Sequence, residues 1–363
     1  LAARLAGTFP PTFTRRTEMK DKTMTTAATA STGATEPPKK PRNIDVVQFL
    51  EKYGVLMFLI VLCVAFGMSS PNFLSVRNLT NILTEVSIYG IVAVGMTCVI
   101  LTGGVDLAVG SVLAFGALAG AWVVTNVGAS AFFGMSFLVA LLISCAIGTL
   151  TGYIHGKTIT LFNVPPFIVT LGGMTIWRGA TLMMNDGAPI AGFDAGYRWW
   201  GRGDVLGIPV PVLVLFVVAA AGYIVLRYTR YGRQIYAVGG NPEAARLTGI
   251  NVPRVLVSVY VIVGFLAGLA GFLLSARLGS AEAIAGSSYE LRIIASVVIG
   301  GTSLFGGMGG IGGTMIGALL IGVLLNGLVM MNVSPYFQQI VMGVIIVLAV
   351  AFDTYAKMRR GKR

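Results

Sequence analysis

An all-α, polytopic membrane fold of about ten transmembrane helices, with both termini cytoplasmic, is predicted by three features of this 363-residue sequence. Hydrophobic residues make up 55% of it and charged residues only 11%. A water-facing surface calls for roughly 25–35% charged residues. Mean hydropathy is +0.83, and the apolar residues fall in runs of the length that crosses a hydrocarbon core, about 20 helical residues each. The 48 glycines suit helices that approach closely through small residues.

Taken in order, residues 1–42 are rich in Thr, Ala and Pro and end on Lys39-Lys40-Pro41-Arg42. They carry no periodic apolar face and read as a disordered N-terminal tail. From Tyr53 onward, spans are expected over 53–70, 82–101, 106–125, 131–154, 165–184, 209–228, 255–277, 289–305, 311–331 and 335–353. The breaks at Ser70-Pro71-Asn72, Thr102-Gly103-Gly104, Asn163 to Pro166, Ile208 to Pro211, Gly306 to Gly310 and Ser334-Pro335 stop helices through glycine flexibility or a missing amide donor. The membrane domain is expected over 45–356, with a polar loop at 227–254 and a basic tail at 357–363. Gly116 with Gly120, Gly148 with Gly152 and Gly156, Gly264 with Gly268, and Gly313 with Gly317 repeat at four-residue spacing. Such pairs serve close helix packing within one subunit or a dimer seam.

Orientation follows from the cations. With both ends inside, the inner face receives Lys39, Lys40, Arg42, Lys52, Lys157, the five arginines of the polar loop, Lys357, Arg359, Arg360, Lys362 and Arg363. Only Arg77, Arg198, Arg202, Arg277 and Arg292 fall outside, which the positive-inside rule favours. This scatter at span ends also argues against nucleic acid as the partner of a chain of net charge +12. Membrane lipid is its surrounding instead.

Within the polar loop, Asn241-Pro242-Glu243-Ala244-Ala245-Arg246 reads as a helix start: Asn as N-cap, Pro at the first helical position, Glu in the first turn, and Gly249 as the stop. An amphipathic helix tethered between spans is suited to transmit a push.

Catalysis by this chain is not expected. Gly156-Lys157-Thr158 ends like a phosphate-binding loop, but the required earlier glycine is Thr151. Gly307 to Gly312 satisfies G-x-G-x-x-G, but no acid follows before Asp353, so a hairpin at the membrane face is the better reading. Cys63, Cys98 and Cys145 form no metal-ligand spacing and His155 is the only histidine, so no metal, cofactor or catalytic triad is expected. Asp106, Glu85 and Glu290 lie near predicted span ends, where a cap or interfacial role is inexpensive. Asp106 is placed to cap a helix start and to shape an inner gate. Asn163, Phe167, Thr170, Trp177, Phe305 and Asn326 are candidates for lining or constricting a water-filled route. Neutral hydroxyls and amides among them suit an uncharged polyhydroxylated solute.

Three stretches carry a resemblance: Thr102-Gly103-Gly104-Val105-Asp106-Leu107-Ala108-Val109-Gly110-Ser111, Asn163 to Gly172, and Tyr236 to Ile250. Together they resemble the permease subunits of ribose, galactose, xylose, arabinose and inositol ATP-binding-cassette importers, over residues 45–356. The resemblance implies a second permease copy, a cytoplasmic ATPase, and a periplasmic sugar-binding protein. It also implies that Glu243, Ala244, Ala245, Arg246 and Gly249 engage that ATPase. Relatives of the same architecture carry branched-chain amino acids, and an ion-coupled secondary transporter is the alternative from another class. The Asp106 and Pro165-Pro166 motifs favour the sugar branch.

Overall fold

The computed structural model describes residues 46–127 and 135–360. The tail expected over 1–42, the first residues of the span expected over 131–154, and residues 361–363 lie outside the described residues.

In chain order the elements are α1 (Val46–Ser69), α2 (Val76–Leu101), α3 (Val109–Val127), α4 (Ser136–Phe162), α5 (Pro166–Met184), β1 (Ile190–Ala191), α6 (Ala195–Arg202), β2 (Asp204–Val205), β3 (Ile208–Pro209), α7 (Val210–Tyr228), α8 (Arg230–Gly240), α9 (Pro242–Leu247), α10 (Val252–Leu278), β4 (Ser280–Ala281), α11 (Tyr289–Ile299), α12 (Ile311–Met330) and α13 (Pro335–Arg360). The strands are two-residue clips, β1 antiparallel to β4 and β2 antiparallel to β3.

Among the described residues, seven helices are long and apolar enough to cross a membrane: α2, α3, α4, α5, α7, α10 and α12. Shorter apolar stretches lie in α1 at Gly54–Ser69 and in α13 at Pro335–Ala351. The span expected over 289–305 differs most. Only the 11 residues Tyr289–Ile299 are helical, about 16 Å of rise, too short to cross alone. Gly301, Gly306, Gly307 and Gly309 adopt positive φ beyond it, and the chain turns there. The last helix, in contrast, continues past 353 to Arg360.

α2 is the central element, with every residue from Val86 to Leu101 buried. It runs between α10 and α12: Gly95 lies against Val263 of α10, and the Tyr89 hydroxyl donates to the Ala318 carbonyl of α12 at 2.8 Å. The four-residue glycine repeats are seams within the subunit. A Cβ at Gly148 or Gly152 of α4 would overlap the carbonyls of Gly264 and Tyr260 of α10, and one at Gly268 would overlap the Ser144 carbonyl of α4. Gly313 and Gly317 of α12 meet Gly300 and Ser296 in the same way.

Candidate functional site

The polar loop is built as two short helices, α8 and α9, between the spans α7 and α10. Thr229 ends α7 and caps α8, its hydroxyl accepting from the Gly232 amide at 3.1 Å. Asn241 then caps α9, its side-chain oxygen accepting from the Ala244 amide at 3.0 Å, with Pro242 at the first helical position. α9 ends at Leu247, and Gly249 takes φ +85°, the left-handed region a glycine enters without strain. Asn251 caps α10 by accepting from the Arg254 amide at 3.0 Å. Glu243, Ala244, Arg246 and Gly249 are exposed, while Ala245 is buried against the body. Leu247, which the sequence did not single out, is 87% exposed beside them.

The helix α8 was not anticipated, and it fixes α9 to the spans. Its apolar side buries Ile235 and Val238. Gly239 lies so close to the end of α2 that a Cβ would overlap the Leu101 carbonyl, and that carbonyl accepts from the Gly307 amide at 2.9 Å. The Tyr236 hydroxyl donates to the Gly309 carbonyl at 2.8 Å. Tyr231 reaches Ser258 of α10 at 2.6 Å, and burial pushes its phenol up to about 12, so it remains protonated in that contact at neutral pH. The glycine run 300–313 is thus a hairpin seated between α8 and the end of α2.

Beyond Leu101 the chain passes through the Asp106 corner. Asp106 is buried, and its Oδ1 accepts from the Ala108 amide at 2.9 Å at the start of α3, as expected of a cap. Its Oδ2 lies 3.8 Å from Nδ1 of His155 on α4, which is also buried. Trp177 of α5 donates its indole N–H to His155 Nε2 at 3.0 Å. An accepting Nε2 places the neutral ring's proton on Nδ1, the atom turned toward Asp106. Trp177 stacks on Phe115 of α3 at 5.5 Å, and Gly173 leaves room for the imidazole where a Cβ would overlap it. The Thr170 and Tyr260 hydroxyls both donate to the Val105 carbonyl, at 3.2 and 3.4 Å.

Of the sequence candidates, Asp106, Thr170 and Trp177 therefore come together, with His155 as the partner the sequence did not identify. Phe305 is exposed, with its carbonyl facing Gly103. Asn163 ends α4 at φ 50°, and Phe167 is exposed on the first turn of α5. Asn326 lies apart, exchanging hydrogen bonds with Asn78 at 2.8 and 3.0 Å and so tying α12 to α2. Gly156-Lys157-Thr158 is helical, with Gly156 packed on Val257, so it forms no phosphate loop. Among the described residues no group of three potential metal ligands occurs.

A bundle of long apolar helices carrying an exposed, capped helix keyed to the span ends is that of a polytopic membrane protein. The chain belongs to the family described as "Branched-chain amino acid transport system / permease component", whose model matches residues 78–350. It is 47% identical over 302 residues to the ribose import permease protein RbsC of Escherichia coli K12, covering 82% of this chain and 92% of that one. To RbsC of Bacillus subtilis 168 it is 44% identical over 306 residues, covering 84% and 93%. To the D-allose transport system permease protein AlsC of Escherichia coli K12 it is 39% identical over 317 residues, covering 87% and 94%. No solved structure matches it.

Proposed function

We propose that this chain forms the translocation pathway of an ATP-binding-cassette importer for a monosaccharide or polyol in the bacterial inner membrane. The sugar class follows the relatives, two of them ribose import permeases and one a D-allose transport permease. The mechanism rests on one observation: exposed α9 is continuous with α8, and α8 is keyed by Gly239 onto the Leu101 carbonyl. Nucleotide hydrolysis belongs to a separate cytoplasmic ATPase, and a periplasmic binding protein delivers the solute. In this reading Glu243, Ala244, Ala245, Arg246 and Gly249, with Leu247 beside them, form the face that the ATPase grips. A push on α9 moves α8, the end of α2 and the hairpin together, and so shifts the Asp106 corner, where α3, α4 and α5 meet. Thr170 and Trp177 hold that corner, while Asn163, Phe167 and Phe305 edge the inner mouth and Asn326 ties α2 to α12. The working unit is a homodimer of permeases in lipid.

The same reading orders the membrane crossings. The hydrogen bonds from Gly307 and Tyr236 hold the 300–310 hairpin on the α9 side, whereas Arg277 and β4 lie at the far end of α10. Residues 279–288 and α11 together make one crossing, so the total is ten and both termini are cytoplasmic. The membrane domain is 45–356, with residues 227–254 as its cytoplasmic coupling loop.

The test is reconstitution of the permease with its cognate ATPase and binding protein. Glu243→Lys and Gly249→Pro are expected to lower ATP-driven uptake and complex assembly by about tenfold or more. Undiminished coupling in both variants overturns the docking assignment. The family description supports a second reading, import of a branched-chain amino acid. Competition of leucine against ribose for uptake separates the two.

A further inference from the structure

The charged side chains buried or half-buried at the end of the molecule away from α9 are not used by the coupling mechanism, and their arrangement is specific. Glu85 lies on α2 about 13 Å along the helix from its start at Val76. Arg277 at the end of α10 pairs with Glu85 Oε2. Arg292 of α11 approaches Glu85 Oε1 at 3.7 Å, and the Tyr289 hydroxyl donates to the same oxygen at 3.3 Å. Arg292 also stands over the Tyr289 ring, 5.3 Å from its centroid. Nearby, Arg178 of α5 donates to the carbonyls of Ala283 and Ala285 at 2.7 and 3.0 Å. This holds the segment that leads down to Glu290 and α11.

These groups are not sealed in the core. The side chains of Glu85, Arg277 and Arg292 are 39%, 26% and 29% exposed, although α2 is buried without interruption from Val86 onward. The surfaces that suit lipid look different: α1, α7 and α13 expose Val61, Phe216, Val217, Val344 and Val347. Ionisable side chains within membrane spans are disfavoured against hydrocarbon and almost always face a bundle interior or a water-filled cavity.

We propose that Glu85, Tyr289, Arg277 and Arg292 form a polar basin on the outer part of the translocation route. It receives the hydroxyl groups of an uncharged polyol released by the binding protein. The chemistry fits that class. A carboxylate offers about four lone-pair sites and a guanidinium five donors, so vicinal hydroxyls find both an acceptor and donors on one rigid cluster. The basin rests on the sugar-importer reading for its ligand but not for its access to water.

The experiment uses the permease assembled with its ATPase and binding protein in liposomes. Glu85→Cys and Arg292→Cys are treated with a charged, membrane-impermeant thiosulfonate. Val61→Cys on α1 serves as the apolar comparison, and the native chain gives the background from Cys63, Cys98 and Cys145. Both basin positions are expected to react about tenfold faster than Val61→Cys, because only a hydrated thiol ionises and meets the reagent. Millimolar ribose is expected to slow that reaction. Glu85→Gln is expected to raise KM for uptake by about fivefold. Reaction no faster than at Val61→Cys overturns the basin. Fast reaction with no protection by ribose or galactose, and an unchanged KM in Glu85→Gln, overturns polyol binding there. If the native complex imports no sugar while Glu85→Cys still reacts fast, the sugar reading fails and with it the ligand, but the hydrated basin stands.

Discussion

Gly239 and His155 show how much single residues fix in this packing: one sets how close α8 comes to α2, the other joins α4 to α5. A methyl group at Gly239 meets the Leu101 carbonyl, so Gly239→Ala must push α8 off the end of α2, an overpacking cost of about 1–3 kcal/mol. We expect the variant to assemble with the ATPase yet to hydrolyse nucleotide with little uptake, measured as the ratio of ATP consumed to solute moved. Trp177→Phe removes the donor to His155 Nε2 and leaves a buried acceptor unpaired, at about 1–3 kcal/mol. A lower thermal midpoint in detergent is expected, and Trp177→His, which restores an N–H, should recover part of it. Asp106 was legible from the sequence because a Gly-Gly turn followed by an acid marks a helix start. His155 was not, because its partners come from α5 and the α2–α3 connection, and their approach depends on helix rotation that no local pattern encodes.

Among the elements, α9 was readable in full, since Asn241, Pro242, Glu243 and Gly249 each occupy the position their backbone chemistry favours. Its neighbour α8 was missed for a physical reason. Gly232, Gly239 and Gly240 look like chain breakers in sequence, but Gly232 and Gly239 are the places where α8 touches α7 and α2. The apolar run at the start of 289–305 misled in the opposite sense: the helix ends at Ile299, and the chain beyond it turns through glycines of positive φ, with Phe305 exposed. A prediction belongs at this scale. Leu247 is 87% exposed, so Leu247→Asp should leave the permease's thermal midpoint unchanged while lowering ATPase affinity by about tenfold. Unchanged affinity in a pull-down removes Leu247 from the docking face.

Taken whole, the chain was legible as a helical membrane protein from composition, because 55% hydrophobic and 11% charged residues admit no water-covered globule. Which polar groups stand together across it was not, because Glu85, Arg277 and Arg292 come from three separate helices. Reconstituted alone, the permease should not concentrate solute, and an ionophore should leave uptake by the full complex unchanged at fixed nucleotide. Accumulation by the isolated chain that collapses with an ionophore identifies an ion-coupled transporter instead.

The length of α10 has a further consequence. It starts at Val252, directly after the α9 turn, and ends at Leu278, beside the Arg277 contact with Glu85, about 40 Å of continuous rise. Its glycine seam with α4 leaves little freedom to bend or slide. Under the proposed coupling, such a rod needs no relay of side-chain rearrangements: a tilt imposed at its α9 end would arrive at its Arg277 end as displacement, and the geometry of the lever would set how far Arg277 travels.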